Sequence, residues 1–131
     1  MTILIFSLLI GASSFATSPP VQDIAVLAGG CFWCMEPPYE KLEGVVSVTS
    51  GFSGGEKANP SYREVAGKKT KHVEAVKIVF DPQKVSYKKL LDIYWKQIDP
   101  TDIGGQFVDR GEPYKPVIFY LGEEQKKLAE A

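Results

Sequence analysis

The chain has 131 residues, 44% of them hydrophobic and 24% charged, with a formal net charge of −1. These values indicate one ordered domain and exclude a broad electrostatic nucleic-acid binder, because neutralising phosphates needs a basic excess. Two cysteines exclude a disulfide-dense scaffold, and with one histidine they cannot supply four ligands to zinc.

Residues 1–16 contain no charged side chain, and Ile3–Ile10 is an apolar run too short to span a bilayer. The run ends in small residues, with Ser14 and Ala16 two apart. This pattern is read as a secretory signal cleaved after Ala16, against the alternatives of a buried first strand or a mis-assigned start. Residues 17–22, with Pro19-Pro20, read as a linker, and 23–131 as one domain. Export to the periplasm or the exterior is the expectation; without a signal the chain is cytoplasmic. An exported cysteine pair meets an oxidising compartment.

Ile24–Ala28 is a short apolar run ending at Gly29-Gly30 and is predicted as a buried strand. Pro37 and Pro38 place the start of the first helix around themselves, so Cys31–Cys34 is expected in an irregular turn before it. Val45–Ser50 is β-branched and predicts a strand. Residues 51–71 read as a long loop with one helical turn after Pro60. Val73–Phe80 is the clearest strand, with Glu74, Val76, Ile78 and Phe80 on one face. Ser86 opens a helix whose stripe is Tyr87, Leu90, Leu91, Tyr94, Trp95 and Ile98. Residues 99–115 read as a second long loop, Val117–Tyr120 as a strand, and Glu123–Ala131 as a final helix. The order β, α, β, β, α, β, α predicts an α+β fold, a split βαβ (ferredoxin-like) two-layer sandwich. Because the sequence stops inside an apparent helix, the C-terminal part is expected to be truncated.

Cys31-x-x-Cys34 follows a strand and two glycines. Thiols in such pairs or at helix starts ionise more readily, and the thiolate is both nucleophile and ligand. The plain alternative is two small packing residues. Phe32 and Trp33 are either core or an apolar wall beside a nucleophile. Glu74 shares a face with apolar residues; if buried it holds a proton to higher pH, as a general acid must, and if the strand end is exposed it is merely solvated. Tyr62 and Tyr114 are loop phenols able to donate to an oxygen, or plain surface residues. Asp109 reads by default as a turn residue, and His72 as structural.

Gly30-Cys31-Phe32-Trp33-Cys34, with Glu36, resembles the signature of the A-type peptide methionine sulfoxide reductases. Gly51-Phe52-Ser53-Gly54-Gly55, Asn59-Pro60-Ser61-Tyr62, His72-Val73-Glu74-Ala75-Val76, Asp99-Pro100-Thr101-Asp102 and Asp109-Arg110-Gly111-x-x-Tyr114 resemble that family's other segments in order and spacing. The resemblance implies the following roles. Cys31 is the nucleophile. Phe32 and Trp33 hold the sulfoxide methyl. Glu74 protonates the oxygen, Tyr62 and Tyr114 bind it, and Asp109 belongs to the same pocket. Lys71 and Val73 replace the family's Gly and Ala, and Pro113 and Pro116 flank Tyr114 where polar residues are usual.

The implied activity is thiol-dependent reduction of methionine S-sulfoxide, free or in proteins, through a sulfenic acid on Cys31. Cys34, the only other thiol in the chain, would then close a disulfide, reduced by a thioredoxin-type dithiol protein. No cofactor, metal, nucleic acid or stable membrane insertion is expected, and the chain is expected to be a monomer. Two other readings stay open on the residues alone. One is a Cu(I)-binding Cys-x-x-Cys module on the same fold. The other is a thioredoxin-like disulfide oxidoreductase, which needs no acid such as Glu74.

Overall fold

Val73–Phe80 forms the centre of the sheet because both its faces are apolar enough to be covered. In the computed structural model, which describes residues 21–131, only Lys77 of this strand is exposed. The signal segment expected over 1–16 and most of the linker expected over 17–22 lie outside the described residues. The elements run β1 (Asp23–Ala28), α1 (Phe32–Glu40), β2 (Val45–Ser53), α2 (Tyr62–Ala66), β3 (Val73–Phe80) and α3 (Tyr87–Gln97). They continue with β4 (Gly105–Gln106), β5 (Asp109–Arg110), a 3-10 turn (Glu112–Tyr114), β6 (Val117–Phe119) and α4 (Glu123–Glu130).

The main sheet has the order β2-β3-β1-β6 with every neighbour antiparallel. That is the expected split βαβ arrangement: β3 inserts between β1 and β2, and the two strands it separates are joined by α1. Helices α1 and α3 cover one face. Phe32, Met35 and Tyr39 from α1 and Leu90, Leu91 and Tyr94 from α3 meet Leu27, Val76, Ile78 and Phe80 from the sheet. Fully burying a side chain of this kind contributes roughly 1.5–3 kcal/mol. The opposite face carries a smaller cluster around Ala28, Val73 and Ala75.

Helix α3 begins where its sequence pattern places it. Ser86 is the N-cap, and its hydroxyl accepts from the Lys89 N–H at 3.1 Å. The stripe is buried except for Trp95, which is 44% exposed and stacks edge-on against Tyr94. The loop after Pro60 does contain its helical turn, α2, started by Ser61 and Glu64 capping one another.

The loop expected over 99–115 contains β4, β5 and the 3-10 turn, and two boundaries differ from expectation by several residues. Helix α1 starts at Phe32, so the cysteines do not sit in an irregular turn before it: Cys31 is the N-cap and Cys34 lies within the first turn. Pro37 and Pro38 stand inside the helix. They remove the N–H groups that would meet the carbonyls of Trp33 and Cys34. Both of those residues are exposed, which leaves their carbonyls within reach of water. Strand β2 continues to Ser53 rather than ending at Ser50, because Phe52 and Ser53 pair with Glu74 and Val73 of β3.

Candidate functional site

The site is assembled where β1 hands over to α1. Two glycines make the turn, and neither position has room for a side chain. A Cβ on Gly29 would stand 2.6 Å from Ile98 Cγ2. Gly30 has φ +94°, and a Cβ there would stand 2.9 Å from Gln106 Cβ. From α3, Tyr94 donates its hydroxyl to the Ala28 carbonyl at 2.8 Å, fixing the strand end just before the turn.

Cys31 follows as the helix N-cap. Its carbonyl accepts from the Cys34 N–H at 3.0 Å, so the chain turns once between the two cysteines. Burial together with the neighbouring Cys31 pushes the Cys34 thiol above its ordinary value of 9.0. Both thiols are free.

The N–H of Phe32, the first residue of α1, donates to Glu74 Oε2 at 3.1 Å. Glu74 is 2% exposed, so the strand face keeps it out of solvent. Burial, and secondarily the charge of Asp109, raise its carboxyl above the usual 4.5, while the Phe32 N–H opposes this. The Glu74 carboxyl is thus held at the first turn of the helix that Cys31 caps.

Around this pair stand four aromatic rings. Phe32 lies with its ring centre 5.6 Å from Trp33, 5.8 Å from Phe52 and 6.4 Å from Tyr62. Trp33 is 68% exposed and Tyr62 is also exposed, so the cluster opens outward while Phe32 closes its floor. This is an apolar platform suited to a small apolar group.

The loop between α3 and β6 supplies the third side. Asp109 lies in β5 and Tyr114 in the 3-10 turn. Burial, and then Glu74, Tyr62, Asp109 and Cys31, hold the Tyr114 phenol above its usual 10.0, so it remains a donor at neutral pH. The turn that carries Tyr114 packs against β3, the strand of Glu74. A cleft of about 200 Å³ is bounded by Gly30, Cys31, Cys34, Gln106, Phe107 and Asp109. All eight residues singled out in the sequence, Cys31, Phe32, Trp33, Cys34, Tyr62, Glu74, Asp109 and Tyr114, are thus brought to one end of the sheet. His72 is buried beside Gly55 and outside this group.

Sequence reasoning missed Phe52 and Gln106. Phe52 is found once β2 is extended through the glycine-rich segment, since it then pairs directly with Glu74. Gln106 carries no motif signal of its own. Its amide accepts from the Asp99 N–H at 2.7 Å and donates to the carbonyls of Asp99, Asp102 and Gly105.

A family model described as peptide methionine sulfoxide reductase matches residues 23–131. The chain belongs to the peptide methionine sulfoxide reductase family. It is 59% identical to peptide methionine sulfoxide reductase MsrA of Streptococcus uberis over 109 residues, covering 83% of this chain and 64% of the relative. With the MsrA of Ligilactobacillus salivarius the identity is 57%, over 83% of this chain and 63% of that one. The chain therefore spans just under two thirds of the length of these curated relatives.

Among solved structures it is similar to methionine sulfoxide reductase A of Corynebacterium diphtheriae, with a TM-score of 0.78 at 32% identity. That likeness covers 86% of this chain and 53% of the other. It is also similar to Mxr1 from Saccharomyces cerevisiae in reduced form, with a TM-score of 0.77 at 30% identity, over 83% and 65% of the two chains. Membership of this family disfavours the copper-module and thioredoxin-like readings.

Proposed function

We propose that this chain reduces methionine S-sulfoxide to methionine, in peptides and proteins or free, as a repair of oxidative damage. One observation carries the reading: the buried Glu74 carboxyl sits on the first N–H of the helix capped by Cys31. A sulfoxide sulfur becomes electrophilic only when its oxygen is protonated or strongly hydrogen-bonded. This reading puts an acid and a thiol at the start of one helix.

In this reading the substrate methyl packs on Phe32 and Trp33. The oxygen meets Glu74, Tyr62 and Tyr114, with Asp109 in the same pocket. Donors aimed at the oxygen where charge develops act strongly in a site partly closed to water. The Cys31 thiolate bonds to sulfur as Glu74 gives its proton to the oxygen; the oxygen then passes with that proton to Cys31 while the S–O bond and the transient S–S bond break, leaving sulfenic acid on Cys31. Methionine leaves. The Cys34 thiol then condenses with the sulfenic acid, releasing water and forming the Cys31–Cys34 disulfide. A thioredoxin-type dithiol protein restores both thiols.

The test is turnover of the two separate sulfoxide epimers of one peptide, by the wild type and by Cys31→Ser. Reduction of the S epimer, with the variant below a tenth of that activity, is the expected result. Equal activity in Cys31→Ser removes the nucleophile assignment.

A further inference from the structure

The loop between β2 and β3 builds a second concavity beside the aromatic cluster. It consists of two adjoining clefts. One, of about 410 Å³, is bounded by Phe52, Lys57, Asn59, Pro60 and His72. The other, of about 450 Å³, is bounded by Glu56, Lys57, Lys69, Thr70 and Lys71. They share Lys57, and the first shares Phe52 with the rings around Phe32. The groove therefore starts at the site described above and leads away from it.

One feature marks the groove as a place for a polar ligand: its charge is one-sided. Residues 56–71 hold Lys57, Arg63, Lys68, Lys69 and Lys71 against Glu56 and Glu64, in a chain whose net charge is −1. Lys57 is occupied by Glu64. Lys69 and Lys71 are exposed and form no ion pair among the described residues. Glu56 is the single acidic group facing them in the cleft.

We infer that this groove receives the polypeptide flanking the oxidised methionine and favours acidic side chains there. The inference rests on the sulfoxide-reductase reading above. An extended peptide advances about 3.3 Å per residue, so residues two to four positions from the methionine reach beyond the aromatic platform into a groove of this kind. Carboxylates at those positions meet Lys69 and Lys71.

The experiment uses three peptides of equal length whose methionine sulfoxide is flanked by Asp, by Gly-Ser or by Lys. At low salt, kcat/KM for the Asp peptide is expected to exceed that for the Lys peptide about fivefold, the scale of two exposed ion pairs. High salt narrows the ratio. The ratio collapses or inverts in the double variant Lys69→Glu/Lys71→Glu and survives in Lys69→Arg/Lys71→Arg, which a general loss of folding would not produce. Equal kcat/KM on the three peptides, or an unchanged ratio in the Glu variant, overturns the inference. If no peptide is reduced, the parent reading fails, and anisotropy of the same peptides carrying a fluorophore decides the groove. Selective binding of the Asp peptide that the Glu variant loses supports it; equal binding of all three overturns it.

Discussion

The backbone N–H of Phe32 is held by the carboxylate of Glu74 at 3.1 Å, across 42 positions of sequence. One of the four N–H groups that a helix start leaves without a partner is thereby satisfied by a side chain from the middle strand. The contact ties the helix that presents Cys31 to the acid that would serve it. It also sets two influences on Glu74 against each other: burial favours the neutral form and the N–H favours the charged one, and burial is the larger.

Replacing Glu74 by Gln separates catalysis from stability. Turnover is expected to fall by about 10²-fold or more, the usual effect of losing a positioned acid. In the wild type the rate is expected to decline as pH rises through the raised Glu74 value, and the variant, which cannot ionise there, is expected to lack that decline. Stability moves the other way. A carboxyl raised above 4.5 on folding contributes fully below 4.5, and its contribution is lost as pH rises through the folded value. Gln escapes that loss and still offers an acceptor to the Phe32 N–H. The variant is therefore expected to unfold at a higher temperature than wild type at neutral pH, with the gap closing in acid. A thermal unfolding series against pH checks the sign.

Tyr114→Phe keeps the ring and removes the donor. The expected loss in kcat/KM is about tenfold, the worth of one neutral hydrogen bond. Because Tyr114 stays protonated at neutral pH, the variant's pH–rate profile is expected to keep the wild-type shape at a lower height. A changed shape would show that the phenol takes part in proton transfer.

Whether these features can be seen in advance depends on how local their cause is. The face of Glu74, Val76, Ile78 and Phe80 and the stripe from Tyr87 to Ile98 are periodic, and both are buried as that period requires, apart from Trp95. The start of α1 is not local. Two prolines argue against a helix beginning at Phe32, and the group that supports that start lies on β3. Gln106 is harder still. Its partners are backbone carbonyls and an N–H of a folded loop, and no residue pattern marks backbone groups in advance. The candidate site residues lie in short motifs in register, whereas Phe52 needed the length of β2.

Gln106→Ala tests the loop that brings Asp109 to the cysteines. Gln106 is 1% exposed, and its amide satisfies groups of Asp99, Asp102 and Gly105. Truncation leaves those groups unpaired and opens space against Gly30. The expected cost is about 2–3 kcal/mol, read as a lower midpoint in chemical denaturation. Below that midpoint kcat/KM is expected to fall as well, since Cys31 and Asp109 lose their common support. A variant with unchanged stability would show that water replaces the amide.

The last expectation concerns what removes the sulfenic acid from Cys31. Disulfide closure needs Cα atoms within about 7 Å, and the single turn from Cys31 to Cys34, closed by the 3.0 Å backbone bond, meets that need. Trp33 is exposed, so its ring turns to solvent and not into the core beside the cysteines. Burial and Cys31 push the Cys34 thiol above 9.0, so at neutral pH it is mostly protonated while its thiolate is the attacking form. Closure is therefore expected to accelerate about tenfold per pH unit on approaching that raised value, as the thiolate fraction does. One stoichiometric turnover without reductant, quenched and read by mass spectrometry at several pH values, measures this directly. The expected product is a Cys31–Cys34 bridge, two hydrogens lighter than the dithiol, appearing faster at higher pH. A sulfenic acid that persists on Cys31 beside a free Cys34 thiol across the series would make Cys34 a packing residue and leave regeneration to an external thiol.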